Sequence, residues 1–236
     1  MLDVFIIPST IQPLFGVINY EDRFTQTLET IQSIKDTVKG KSIIILADSS
    51  AKELPAEKLQ KLRDSVTLFL DFHNDDLAQQ FNKNWLKSHG ENYLLHNSIL
   101  RLKEIYDVNY NYDLKDTKGR MYKLGGRCKL LPSFDIQEHH DSGDNYVFKT
   151  RLSTWRTPEQ QKVCDSTHLL ETRFYSWPIS FMYDYLGIIQ KNFELFNQGL
   201  DTEHAHFINI PKDKLIEKER MHVGCYIAAS GAYIED

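Results

Sequence analysis

Three short apolar runs, each ending in a cluster of small polar residues, constrain this chain more than anything else in it. Val4-Phe5-Ile6-Ile7 ends in Pro8-Ser9-Thr10. Ser42 to Leu46 ends in Ala47-Asp48-Ser49-Ser50. Thr67 to Phe72 ends in His73-Asn74-Asp75-Asp76. Runs of this length with no alternation read as strands buried on both faces. Between the first two, Phe24, Leu28, Ile31, Ile34 and Val38 recur at helical spacing, opened by Glu21-Asp22-Arg23 and closed by Gly40. Between the second and third, Pro55 opens a helix with Leu59, Leu62 and Val66 on one side. The first third is therefore expected to be β-α-β-α-β, an α/β Rossmann-type half with a mostly parallel sheet. Ligands of such sheets sit beyond the carboxyl ends of the strands. That places Ser9, Thr10 and Asp48 as candidate contacts for a base or ribose, and Arg23 as a candidate phosphate contact from a helix start.

The middle of the chain predicts two helices, with Leu77, Phe81 and Trp85 on one face and Leu95, Ile99, Leu102 and Ile105 on another. Ser88-His89-Gly90-Glu91 is read as the break between them, and residues 107 to 119 as a polar loop or hairpin. Tyr122-Lys123-Leu124-Gly125-Gly126-Arg127-Cys128-Lys129-Leu130 follows. Glycine lets backbone approach a neighbour or ligand closely. Continuous strand geometry would aim Arg127 and Lys129 the same way. Lys123, Gly125, Gly126 and Arg127 are the expected diphosphate contacts, because fixed cations beside backbone amides suit that anion. Farther on, Tyr146 to Leu152 and Leu169 to Ser176 predict strands, Phe181 to Phe196 a helix ended by Gly199, Lys212 to Arg220 a charged helix, and Val223 to Ala228 a strand.

The bulk composition narrows the class. The 236 residues are 41% hydrophobic and 26% charged, which is ordinary for a globular protein of one large α/β domain. The net charge of −5 argues against a nucleic-acid binder. The apolar run near Met1 is too short to span a bilayer, and no basic segment precedes it. Cys128, Cys164 and Cys225 are far apart, with no Cys-x-x-Cys. Neither a zinc knuckle nor a disulfide scaffold is expected, and a reducing, cytoplasmic setting is. The turn after the first strand, Pro-Ser-Thr-Ile-Gln-Pro, lacks the Gly-x-Gly-x-x-Gly of a dinucleotide binder.

An ordered set of segments resembles the GT-A-type nucleotide-sugar glycosyltransferases, in particular a bacterial and viral group. The set is Arg23 to Ile34, Leu46-Ala-Asp-Ser-Ser50, His89-Gly-Glu91, Lys123-Leu-Gly-Gly-Arg127, Thr172-Arg-Phe-Tyr-Ser176 and Glu203-His204. The resemblance implies a single GT-A-like domain over residues 1–236. Residues 1–120 would be its nucleotide-binding half and 121–236 its acceptor and catalytic half. It implies a hexosyltransferase-type enzyme that uses a nucleotide-sugar donor and a carbohydrate acceptor. In that fold an Asp-x-Asp holding Mn2+ or Mg2+ on the diphosphate stands where this chain has Lys123 to Leu130. The chain is thus expected to need no cofactor, its cations doing the work of the metal, with a divalent Mn2+ or Mg2+ kept as the alternative. Cys128 replaces the tyrosine of the Lys-x-x-Gly-Arg-Tyr pattern. Glu203, His204 and Asp135 are the candidates for acid-base chemistry. Glu171, Arg173, Tyr175 and Trp177 are the candidates for the acceptor, the aromatic rings by stacking on a sugar face, as is Trp155. The acidic clusters Asp71 to Asp76 and Glu138 to Asp144 are weaker candidates for a metal. A non-catalytic carbohydrate- or nucleotide-binding module and a sugar nucleotidyltransferase remain as alternatives on the same fold.

Overall fold

Strand β1 (Leu2–Ser9) is buried along almost its whole length and lies inside the main sheet. In this computed structural model, residues 1–15, 17–110, 113–154, 167–227 and 230–236 are described, except the side chains of residues 109 and 110; Trp155 and Ala228 lie outside the described residues. β2 (Ser42–Asp48) and β4 (Gly119–Leu124) flank β1, both parallel to it, and β3 (Leu68–Asp71) adds to β2. Beyond β4 come β9 (Phe174–Pro178), β6 (Tyr146–Lys149) and β10 (Leu215–Lys218). The seven-stranded order is β10-β6-β9-β4-β1-β2-β3, and β9 is antiparallel to both its neighbours.

Alternation along β1 explains why its apolar run has no polar face. Phe5 and Ile7 join Ile44, Leu46, Tyr122 and Leu124 against α1 (Tyr20–Thr37) and α2 (Ala56–Ser65). Val4 and Ile6 join Ile45 and Met121 against α4 (Lys87–Tyr110) and α6 (Met182–Asn197). Each side chain taken fully out of water here contributes about 1.5–3 kcal/mol. The same parity turns Tyr122 toward α1 and Lys123 toward α4. A separate three-stranded sheet, β12-β11-β5, joins β5 (Cys128–Leu130) to β11 (Val223–Tyr226) and β12 (Tyr233–Glu235). β7 (Leu152–Ser153) and β8 (His168–Leu169) form a small ribbon. α3 (Asp76–Lys83), α5 (Ile136–His140) and α7 (Thr202–Asn209) complete the elements used below.

Several expectations are corrected. The helical break falls at Asn84–Leu86, where Trp85 has φ 55°, and α4 runs through Ser88 to Glu91. Gly90 sits inside the helix, where an added Cβ would meet the Cβ of Phe81 at 3.7 Å, an ordinary packing distance, so the glycine does not break the helix. Helix α4 continues to Tyr110, and a 3-10 turn at Leu114–Asp116, pinned by the buried Leu114, leads into β4. The expected helix over 212–220 is a 3-10 turn at Lys212–Lys214 followed by β10, because pairing with β6 outweighs local helix preference. The expected long strand over 169–176 divides into β8 and β9, leaving Glu171 to Arg173 between strands.

The cysteine reading is also overturned. Cys128 and Cys225 stand opposite each other across the antiparallel β5–β11 pair, with Cα atoms 4.1 Å apart, and form a disulfide. Their separation of 97 residues hid a cross-strand register that only the fold creates. The inference of a reducing compartment thereby loses its basis. Among the described residues no helix is long and apolar enough to cross a membrane.

The face under α6 holds a buried polar chain. The hydroxyls of Tyr175 and Tyr185 lie 2.5 Å apart. Tyr185 meets His206 Nε2 at 3.0 Å, and His206 Nδ1 meets the Thr202 carbonyl at 2.8 Å. Burial lowers the His206 pKa to about 4. A depressed histidine is neutral in the folded chain, so its contribution to stability is whole above pH 6.5 and is lost as pH falls toward about 4. Comparison of wild type with His206→Asn by chemical denaturation should therefore show a stability gap that narrows by about 2 kcal/mol between pH 7 and pH 5.

Candidate functional site

The carboxyl ends of β1, β2 and β4 meet in one place, and hydrogen bonds tie them there. Asp48 is 1% exposed and accepts from the Ile11 amide at 2.9 Å and the Ser50 amide at 3.0 Å, one on each oxygen. Burial, only partly offset by those bonds, pushes its carboxyl up to about 6. It clasps the loop after β1 to the end of β2. Thr10 and Ser49 share a hydroxyl contact at 2.9 Å, and the Ser49 amide donates to the Ser9 carbonyl. Asn82 and Gln79 of α3 donate to the carbonyls of Ser49 and Ser50.

Gly125 and Gly126 form the turn from β4 into β5. The Gly125 amide donates to the Arg173 carbonyl at 2.9 Å, and the Cys128 amide closes the turn onto Gly125 at 2.9 Å. Gly126 lies against β1: a Cβ there would come within 2.9 Å of Ser9 Oγ and 3.3 Å of the Pro8 carbonyl. Thr27 Oγ1 of α1 donates to the Gly126 carbonyl at 3.2 Å. The turn is thus held between β1 and α1, and Arg127 is delivered beyond the strand ends. Lys129 goes elsewhere, over the ring of Tyr233, so Arg127 and Lys129 do not act as a strand pair.

Arg127 meets two other cations. Arg23 of α1 donates from Nη1 to the Thr10 carbonyl at 3.1 Å. Its Nε and the Nη1 of Arg127 are buried with no hydrogen-bond acceptor among the described residues. Burial, and then the charge of Arg127, lower the Arg23 pKa to about 10. Burial lowers that of Arg127 too. Lys87, the first residue of α4, is lowered by burial and then by Arg127 and Arg23 together. Three elements thus bring cations close enough to repel one another, and two of their guanidinium N–H donors find no acceptor among the described residues. Such an arrangement gains from a polyanion, which removes the repulsion and fills the donors. Lys87 is absent from the sequence-level site, because the helix break is expected just after it and its place at a helix start is thereby hidden.

Lys123 has another role. It is 2% exposed, its Nζ lies 2.6 Å from Glu91 Oε1 of α4, and it donates to the Thr172 carbonyl at 2.5 Å. Thr172 Oγ1 in turn donates to Glu203 at 3.1 Å. Burial, then the charges of Glu91 and Asp201, raise the Glu203 pKa. His204 is fully buried, held by Asp201 at 2.6 Å and Thr154 at 2.7 Å, and Asp201 caps α7. Asp135 is exposed and caps α5 through the Gln137 amide. Glu171 and Arg173 form an ion pair, and Lys149 also approaches Glu171. Tyr175 and Trp177 are corrected: both are 0% exposed, in contact with Tyr185, and have no free ring face for a sugar. β9 lies between β4 and β6 and is buried along its whole length.

A divalent metal does not fit the end of β4. The side chains there are Lys123 and Arg127, and the nearby carboxylate, Glu91, is paired with Lys123. Hard divalent cations need several oxygen ligands. Among the described residues no group of three His, Cys, Asp or Glu is placed to hold one. In the two acidic stretches, Asp71 takes His73, Asp75 caps α3, and Glu138 pairs with Lys218.

No protein-family profile and no curated protein sequence matches the chain. Solved structures do. Galactosyltransferase LgtC, in complex with donor and acceptor sugar analogs, matches with TM-score 0.52 at 10% identity, over 92% of this chain and 73% of its own. Core-mannan synthase A from Aspergillus fumigatus, in an Mn/GDP form, matches with TM-score 0.50 at 12% identity, over 94% and 73%. The bifunctional glycosyltransferase WbbM matches with TM-score 0.51 at 9% identity, over 91% of this chain and 38% of its own. The chain has a GT-A-type fold.

The contact of Gly126 with Ser9 generates a test. Gly126→Ala should cost about 1–3 kcal/mol in thermal unfolding by overpacking. It should also weaken pyrophosphate binding. Adding Ser9→Gly to that variant should recover most of both losses.

Proposed function

We propose that the chain is a glycosyltransferase that moves a sugar from a nucleotide-sugar donor to an acceptor hydroxyl. The observation that carries this reading is the convergence of Arg23, Lys87 and Arg127 beyond the carboxyl ends of β1, β2 and β4. The site of an open α/β sheet lies there, and the anion such a trio suits is a diphosphate. Two proteins that share the fold are described with GDP and with donor and acceptor sugar analogs. The nucleotide would lie over residues 1–120, beside Ser9 and Thr10, with the buried Asp48 behind them fixing the loop rather than touching the ligand, and the acceptor would enter from 121–236.

As the bond from sugar to diphosphate breaks, negative charge grows on the departing phosphate oxygen. Fixed guanidinium donors aimed at that oxygen stabilise it without rearranging during the step. Arg127 and Arg23 bring planar, multidentate donors to it, and Lys87 brings a point charge. This chain therefore uses cations for the charge balance that a metal supplies elsewhere. Lys123 stands behind them, occupied by Glu91.

Thermal-shift measurement with UDP-, GDP- and CMP-sugars in EDTA tests the reading. One of them should stabilise the chain, by about 2.7 kcal/mol at a hundredfold excess over Kd. Arg127→Ala should remove that shift. No shift with any nucleotide would end the transferase reading. A shift that requires Mn2+ would end its metal-independent form.

A further inference from the structure

Two carboxylates, Glu91 and Glu203, stand on either side of Lys123 and Thr172, and their surroundings differ. Glu91 lies four residues after Lys87 on α4, so the two side chains share one face of the helix. The helix thus presents a cation to the anion site and, one turn later, a carboxylate beside it. Glu91 is also the counter-charge that Arg127 feels. Its side chain is 36% exposed, whereas Lys123, which grips it, is 3% exposed. Glu91 Oε1 is buried against Lys123, so the exposed part of the pair is the rest of the Glu91 side chain. Lys123 is fixed in turn by the Thr172 carbonyl, which leaves Glu91 little freedom. Glu203 lies on the inner side, where Thr172 Oγ1 donates to it. Burial and the nearby Glu91 charge favour its protonated form. Of the two carboxylates, Glu91 is the one whose side chain meets solvent beside the cations, so it is the one placed to take a proton from an acceptor hydroxyl.

We propose that Glu91 is the catalytic base of the transfer, with Lys123 as its positioning residue. This rests on the transferase reading above and goes beyond it, because it fixes the stereochemistry. The acceptor hydroxyl gives its proton to the free Glu91 oxygen while its own oxygen bonds to the anomeric carbon. The bond from that carbon to the diphosphate oxygen breaks, and its electron pair leaves with the diphosphate, held by Arg23, Lys87 and Arg127. Glu91 returns the proton to water once products have gone. One displacement inverts the anomeric configuration. Water in place of the acceptor gives donor hydrolysis by the same route.

The test uses the full chain and whichever nucleotide-sugar gives the largest thermal shift, with release of nucleoside diphosphate as the readout. Glu91→Gln, which keeps the shape, should leave the nucleoside diphosphate thermal shift intact and lower kcat about 10²- to 10⁴-fold. The acidic limb of the wild-type pH–rate profile should vanish in Glu91→Gln and persist in Glu91→Asp. The released sugar should have inverted configuration by NMR at early times. Wild-type kcat in Glu91→Gln, or retained configuration, overturns the assignment while the transferase reading stands. A wild type that neither binds nor cleaves any nucleotide-sugar overturns both.

Discussion

The close approach of Gly126 to Ser9 decides where the charges of this molecule stand. Because Gly126 has no side chain, the turn after β4 packs onto the carboxyl end of β1 and is caught from behind by Thr27 of α1. Arg127 then emerges beyond the strands, facing Arg23 from α1 and Lys87 from α4. The disulfide between Cys128 and Cys225, one residue farther on, joins the same turn to the C-terminal strands. β1, α1 and β11 all grip the short turn that carries this one guanidinium.

The charges there are arranged at a cost. Burial and mutual repulsion both weaken the hold of Arg23 and Lys87 on their protons. Asp48 offsets part of the repulsion at Arg23. Perturbed cations gathered beyond the ends of parallel strands make this place the candidate site. Behind it the charges are balanced: Lys123 with Glu91, Glu171 with Arg173, and Asp48 with two amides. The cationic front and the paired layer behind it divide the work between binding an anion and shaping the chemistry next to it.

The fold was legible because the hydrophobic pattern of β1, β2 and β3 leaves no polar face, and only a sheet covered on both sides accommodates that. The places of Arg127, Arg23 and Gly126 beyond the strand ends were legible for a related reason, since strand ends and glycine pairs carry local signals; their contact with a diphosphate belongs to the proposal. Lys123 was assigned to the anion because sequence gives side-chain type and not parity: one residue of alternation turns it toward α4 and Glu91. The place of Lys87 at a helix start, with Glu91 one turn later on the same helix, was hidden by Gly90, which sits within a helix where a break was expected. Tyr175 and Trp177 were given to the acceptor because nothing local says that β9 lies inside the sheet. The disulfide depends on a cross-strand register between residues 97 apart, which no local pattern encodes.

The central claim is that protein cations take the place of a metal on a nucleotide diphosphate. Calorimetric titration of the chain with nucleoside, nucleoside monophosphate and nucleoside diphosphate, in EDTA and across a range of salt, tests it most directly. The account predicts that affinity rises steeply with the second phosphate, persists without metal, and falls as salt screens the cations. Diphosphate binding that appears only when Mn2+ or Mg2+ is added, or that matches the bare nucleoside, would contradict it.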